Sequence, residues 1–477
     1  MSPLELRASA GLAGLYALRM LGMFLLLPVF ALYARHLPGG DDHTLVGLAF
    51  GIYGLTQACL QLPLGMLSDR IGRKPVIYAG LALLALGSVI AATAHDLVWI
   101  AIGRAIQGAG AISAAITALL ADLTREENRT KAMAMIGGSI GATFAVSLVL
   151  APSLAQWIGL SGIFWLIAGL SLAAIVGVWQ IIPDPSQSRF HSDAEANPKR
   201  LGDVLRDGQL LRLNYGVFAL HAAQMALFVT LPLVLEQAAG LSAAEHWKVY
   251  LPVMAAGFVL MVPAVIVGET RNKLKQVFLG AVLLMLAAQL GMAARLDTLP
   301  VILGWLALYF IAFNVLEATQ PSLISKIAPA DAKGTAMGVY NTTQALGFAV
   351  GSAVGGWLYH RAGTLPVHLF CAALIGVWAL VTLGLKPPMP VRTMMYHIDD
   401  ALLSGNTELG GDAEPGGKAA GPGDATELAR RLGSLAGVRE AVVIAEEGVA
   451  YLKVLREGWD EAGARRLLGL PQTAPDA

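Results

Sequence analysis

Long apolar runs separated by short polar connections fill the chain from residue 10 to residue 385. A helix needs about 20 apolar residues to cross the hydrocarbon core of a bilayer. By that measure the pattern predicts twelve spans, at 10–34, 44–67, 75–94, 97–121, 131–157, 161–182, 210–236, 247–268, 275–294, 299–325, 335–359 and 365–385. Glycine and alanine are frequent within them, which suits helices that pack closely in lipid. The pattern changes after Lys386. Val391–Ile398, Val438–Ala445 and Val449–Leu455 read as strands, while Thr426–Leu435 and Asp460–Leu468 read as helices. The order β-α-β-β-α predicts a small ferredoxin-like domain over 391–470. Residues 404–424 are Gly-, Ala- and Pro-rich and read as a flexible insertion within it.

The resulting picture is a six-span half at 1–182, a linker at 183–209, a second six-span half at 210–386, and the soluble tail. Pro183 and Pro185 and several charges mark the linker. The halves repeat. Pro63–Val76 and Pro263–Val277 align with Glu269 on Asp69 and Lys273 on Arg73. Arg129–Val146 and Lys333–Val350 share Ala-Met and Phe-Ala-Val at one spacing. Two parallel six-helix halves form an architecture in which substrate binds between them near the bilayer midplane.

Composition narrows the class. Of 477 residues 56% are hydrophobic and only 14% charged, against about a quarter charged in soluble domains. Lipid is therefore the solvent. The net charge of +0 says little as a sum, because the charges are unevenly distributed, and nucleic acid is not an expected partner. Lys and Arg gather in the connections after even-numbered spans, at Arg70, Arg73, Lys74, Arg125, Arg129, Lys131, Lys199, Arg200 and Lys275 among others. The positive-inside bias then sets both termini in the cytoplasm. Cys59 and Cys371 fall in separate apolar runs and read as small core residues, not a disulfide. Neither a nucleophile–base pair nor a metal cluster stands out, so the sequence calls for no enzyme, cofactor or metal. Met394 and Met395 read as ordinary strand residues.

Three constellations carry chemistry. The connection after span 2 holds Gly65, Asp69, Arg70, Gly72 and Arg73. Gly65 permits a close helix approach and Gly72 a tight turn. Asp69 has the charge to cap the positive N-terminus of a neighbouring helix, and Arg73 to pair with Asp122 at the end of span 4. Together they can act as a conformational latch; the same charges also fit a plainer role in fixing topology. Arg104 and Gln107 lie in span 4 and Arg19 in span 1. A buried arginine faces a cavity or a partner at some cost, or snorkels to the interface. Glu317 lies within span 10, with Asn314 and Gln320 three residues to either side, a spacing read as one face lining the cavity. A carboxyl withdrawn from water can exchange a proton with each transport cycle, or can be a hydrogen-bonded structural acid. His221 in span 7 offers a second proton carrier or a satisfied core histidine.

The Gly65–Lys74 segment resembles the major facilitator signature G-x-L-x-D-R-x-G-R-K, and Arg104–Gly108 resembles that family's span-4 motif R-x-x-Q-G. In span 5, Gly137, Gly138, Gly141 and Pro152 keep small-residue packing without the glycine arrangement of the family's antiporter motif. Leu18–Phe24, Ser68–Pro75, Ala244–Tyr250, Pro321–Lys326, Lys333–Tyr340 and the tail resemble the YajR-like subfamily of this superfamily. The resemblance implies a multi-pass protein of the bacterial inner membrane that effluxes a small-molecule substrate by alternating access, coupled to protons. By the same analogy, the helix that Asp69 caps is span 11, near Gly334 and Thr335, and the latch closes the cytoplasmic side. The lipid bilayer, the substrate and protons are its expected partners, and the tail is where a regulator or a second copy would bind. The alternative is a transporter-like membrane sensor that signals through the tail.

Overall fold

The computed structural model describes residues 1–184, 198–271, 273–329, 332–386, 391–398, 423–445, 448–455 and 458–470. Its helices are α1 (Pro3–Phe24), α2 (Phe30–Ala34), α3 (His43–Ile71), α4 (Arg73–Ala92), α5 (Leu97–Ala109), α6 (Ser113–Leu123), α7 (Glu126–Ile181), α8 (Leu201–Arg206), α9 (Gly208–Gln237), α10 (Trp247–Thr270), α11 (Leu274–Ala294), α12 (Leu299–Ile327), α13 (Lys333–Ala362) and α14 (Thr364–Leu383). The tail holds α15 (Gly423–Gly433), α16 (Glu461–Leu467) and the strands β1 (Val391–His397), β2 (Val438–Ile444) and β3 (Val449–Leu455).

Twelve crossings result. Among the described residues nine helical stretches are long and apolar enough to cross a membrane by themselves. One of them lies within the 56 residues of α7, which at 1.5 Å per residue are far too long for a single crossing. Gly159, with φ of 68°, breaks α7 into spans 5 and 6. Span 11, α13, is rich in Gly, Thr, Asn and Gln and therefore less apolar than the others, and many of its residues are buried. Span 1 carries Glu5, Arg7 and Arg19.

Two spans differ from their expected form. Span 1 is interrupted at 25–29, where Pro28 removes a backbone donor, and continues as the short α2. Span 4 is interrupted at 110–112, giving α5 and α6. Non-helical backbone at such depth is tolerated where protein or a cavity covers it, and Gly110, Ala111 and Ile112 are all buried. Span 2 extends through Ile71, so most of the Gly65–Lys74 segment is helix and Gly72 alone links α3 to α4. The linker at 183–209 contains α8, while 185–197 lie outside the described residues. Cys371 is buried, but Cys59 is exposed on the outer surface of α3 and is no core residue.

Trp157, Trp179, Val259 and Leu380 belong to an exposed apolar outer surface, as lipid requires. α9 is the opposite case and is buried almost end to end. The halves meet where α13 lies between α3 and α9. Glycine makes that seam possible. A Cβ on Gly54 would stand 2.7 Å from Ala345 O, and one on Gly47 would overlap Ser352 O. At the same end of the bundle Arg35 Nη1 lies 2.6 Å from Glu236 Oε2, and the His43 ring stands edge-on to Tyr359. This end is closed. The other end bears Arg70, Arg73, Arg125 and Lys333 and is called the basic face below.

The tail's three strands form an antiparallel sheet in the order β1-β3-β2. β1, α15 and β2 make a split β-α-β unit with β3 between the two strands, the arrangement of a ferredoxin-like domain. Tyr396, Leu428, Leu432, Leu452, Val454 and Leu468 pack between one sheet face and the helices. The 404–424 insertion lies almost wholly outside the described residues.

Gly47→Leu should pry the seam apart. With Gln57→Cys as a reporter in the cavity of an otherwise cysteine-free chain, labelling by an impermeant thiol reagent from the closed end should rise severalfold. Unchanged labelling would show that this seam does not seal that end.

Candidate functional site

A cavity of about 1490 Å³ lies between the halves. Spans from both halves line it, and its wall runs to Asp69, Arg73, Arg125, Arg129 and Lys333 on the basic face. With the other end sealed, the cavity opens to the basic face alone. Met20, Met23, Phe24, Phe144, Phe313 and Phe348 make much of the wall apolar.

α12 and α9 bring the second half's polar groups to this wall. Glu317 is an acid in the cavity wall, with a side chain 36% exposed. Its Oε2 lies 3.3 Å from His221 Nε2. The other imidazole nitrogen, Nδ1, is 2.9 Å from Val217 O and must carry a proton, because a carbonyl only accepts. Gln344 Nε2 donates to His221 Nε2 at 2.8 Å. That pattern describes a neutral ring. A proton added at Nε2 would be donated to Glu317, and Gln344 would have to turn its carbonyl toward the ring. The three side chains therefore form a unit with two hydrogen-bonding states. The sequence reading missed Gln344. Its signal was the polar run Asn341–Gln344 inside an apolar span.

Asn314 and Glu317 share the cavity wall, but Gln320 does not. A three-residue step falls short of a helical turn by about 60°, so two steps carry a side chain about 120° around the helix. Gln320 is fully buried and accepts from the Tyr340 hydroxyl at 3.4 Å. The common face expected for the three residues is corrected accordingly.

Arg104 is likewise placed away from the cavity and is 1% exposed. It donates from Nη1 to Gln107 Oε1 at 3.1 Å and from Nη2 to Phe50 O at 3.2 Å. Its guanidinium sits 4.7 Å from the Tyr53 ring centroid. Gln107 in turn donates to Ser88 Oγ at 2.7 Å. Arg104 thus neither snorkels nor faces substrate in this state; it ties α5 to α3 and, through Gln107, to α4. Arg19 is as deeply buried, beside cavity residues Tyr16 and Met20, and donates to Ser113 Oγ at 2.7 Å.

On the basic face Gly72 has φ of 96°, a conformation that glycine adopts without strain. A Cβ on Gly65 would meet Ala114 on α6 at 3.0 Å, so that close approach is to span 4 of the same half. Arg73 Nη1 donates to Asp69 and to Ser68 Oγ, and Nε lies 3.3 Å from Asp122 Oδ2. Arg70 is exposed. Among the described residues the cap position Ala332 offers no side-chain acceptor and no hydrogen bond joins Asp69 to α13, so Asp69 does not cap span 11 here. The reason is the open mouth, which holds the two halves apart on this face. The second half has a counterpart, with Lys326 Nζ 2.6 Å from Glu269 Oε1. The acid keeps its place, Glu269 aligning with Asp69, while the base that meets it lies on α12 and not at the start of the following span as Arg73 does.

The tail lies across the mouth. Met394, Met395, Tyr396 and Tyr451 are part of the cavity lining. Met395 and Tyr451 pair in register on the sheet face that carries no helices. Two residues further along β3, Lys453 donates to Ala328 O, just beyond α12, at 2.6 Å. Burial pushes the Tyr396 hydroxyl up to about 12, so it stays neutral there.

The Major Facilitator Superfamily model matches residues 12–352 and 273–394. The chain is 44% identical over 455 residues to the inner membrane transport protein YajR of Escherichia coli (strain K12), covering 95% of each. It is 28% identical to the multidrug resistance protein MdtH of Yersinia enterocolitica, over 81% of this chain and 94% of that one. A bacterial homologue of the lysosomal transporter Spinster, solved in an inward-facing and occupied conformation, superposes with a TM-score of 0.65 at 13% identity, over 80% of this chain and 97% of the other. The chain belongs to the major facilitator superfamily, with a YajR-like membrane part and tail, and is a membrane transporter, not an enzyme.

Two outcomes follow from these contacts. Arg73→Ala removes a cation from a buried pair, which costs about 3 kcal/mol, whereas Asp69→Asn alters a partly exposed acid. Thermal unfolding in detergent should show a clear drop for the first and little for the second; equal drops would contradict the assignment. Truncation after residue 390 should leave a folded carrier and raise thiol labelling of Met337→Cys from the basic face. Unaltered labelling would mean the tail does not restrict the mouth.

Proposed function

We propose that this major facilitator carrier effluxes a small molecule from the bacterial cytoplasm across the inner membrane in exchange for protons, by alternating access. The basic face is the cytoplasmic side by the positive-inside bias, which leaves both termini in the cytoplasm. The state described above is then inward-open. The observation that carries proton coupling is the Glu317–His221–Gln344 unit. It meets the cavity, it has two hydrogen-bonding states, and it can hold a proton while the cavity faces one side and release it after the halves rock. Substrate and proton would compete for the same wall. The similarity to a multidrug resistance protein supports the efflux direction. The Asp69–Arg73–Asp122 cluster would serve as a latch when the cytoplasmic mouth shuts, because only then can Asp69 meet the start of α13. Arg70 and Gly72 would hold that corner in place.

One observation favours a second reading, a membrane sensor: the tail occupies the mouth through which substrate enters. Net flux separates the two. In proteoliposomes with an imposed pH difference, the parent chain should accumulate substrate uphill. Glu317→Gln keeps shape and removes the titration, so the variant should still exchange substrate yet fail to accumulate it. Undiminished uphill transport by Glu317→Gln would place the proton site elsewhere, and absence of flux in the parent would favour the sensor.

A further inference from the structure

The cavity wall supplied by the first half holds a group that the proton unit does not use. Span 4 breaks at 110–112, and its second piece, α6, starts at Ser113 with no side-chain cap. The first-turn N–H groups of Ser113, Ala114 and Ala115 have no acceptor within their own helix. Ser113, Ala114 and Thr117 line the cavity, so the positive end of this half-helix meets the substrate space.

Arg19, on α1, converges on the same point. It is 1% exposed. Its hydrogen-bond partner among the described residues is the Ser113 hydroxyl, reached from Nη1 at 2.7 Å. Nε and Nη2 are buried without an acceptor. A buried cation placed against the positive end of a helix is electrostatically unfavourable, and low dielectric enlarges the cost. Both elements are stabilised by one and the same thing, a negative charge at the Ser113 wall. Half-helix N-termini at breaks in membrane spans serve anionic groups in this way.

We propose that Ser113, the N-terminus of α6 and Arg19 form a subsite for an anionic group, and that the transported molecule is an organic carboxylate with an apolar or aromatic body. A single guanidinium matches a single negative charge better than a doubly charged phosphate. Met20, Met23, Phe24 and Phe144, on the same half, receive the body. Ser113 and the helix N–H groups touch the carboxylate, and Arg19 acts from behind them. The inference rests on the transport reading above and specifies its substrate.

The test is binding, with no gradient, so that it stands apart from coupling. The purified full chain in lipid nanodiscs is titrated calorimetrically with 2-naphthylacetate, its methyl ester and 2-(2-naphthyl)ethylamine. The carboxylate should bind at least about tenfold more tightly than the ester or the amine, a difference of about 1.4 kcal/mol. Arg19→Gln should weaken the carboxylate about tenfold and leave the ester within about twofold, while Arg19→Lys retains most of the affinity. Ser113→Ala, a mild change that needs no buried charge to be removed, should weaken the carboxylate alone. The proposal is overturned if the amine binds as well as the carboxylate, or if Arg19→Gln and Ser113→Ala leave the carboxylate unaffected or weaken ester and carboxylate alike. It is also overturned if phenyl, naphthyl and dodecyl carboxylates all fail to saturate. Failure of the Glu317→Gln flux experiment would leave these affinities unchanged.

Discussion

Direct contact of backbones between α3 and α13 is the constraint on which the rest of the architecture depends. In lipid there is little hydrophobic drive to pull helices together, so close packing and polar contacts must do it. Gly47 and Gly54 remove the side chains that would keep the two halves apart. α13 then lies against α3 on one side and α9 on the other, and α9 is enclosed almost completely. With the seam shut at one end, the volume between the halves can widen only at the other. The single-ended cavity, its opening among the basic side chains and the separation of Asp69 from α13 all follow from that geometry.

The halves are related by repetition, but their ion pairs are not all copied. In the first half Arg73, at the start of α4, meets Asp69 and Asp122; in the second the acid at the Asp69 position, Glu269, meets Lys326 on α12 instead. A similar asymmetry runs through the cavity. The first half has a buried guanidinium behind the helix N-terminus at its wall, and the second presents a carboxyl and an imidazole. The repeat gives two similar scaffolds, and a few polar positions give their two walls different chemistry.

Much of this was legible in the sequence because lipid imposes a strict length rule. Twelve apolar runs predicted twelve crossings, and the tail's alternation predicted its strands within a residue or two. Breaks within spans were harder to read. Gly110–Ile112 carries no proline, and its interruption depends on what covers it. The roles of Arg104 and Gln320 were also set by tertiary contacts: Tyr53 and Phe50 around one, Tyr340 on the other. A single chain shows that a polar group sits inside a span, but not which neighbour satisfies it. For Arg19 and Glu317 the sequence named the residue, and the partner across the helix interface defined its chemistry.

Only four residues, 387–390, separate the end of the second half from β1. A module held on so short a tether samples its docking surface at an effective concentration in the millimolar range. Among the described residues Lys453 reaches Ala328 O and the Met395–Tyr451 patch faces the cavity, and within one chain such contacts hold the tail in place with less free energy than two separate proteins would need. Seating of the tail over the mouth is then an intramolecular equilibrium, independent of protein concentration. A ligand that discriminates between the seated and released tail by a factor of ten would shift that balance by the same factor, with no change anywhere in the membrane.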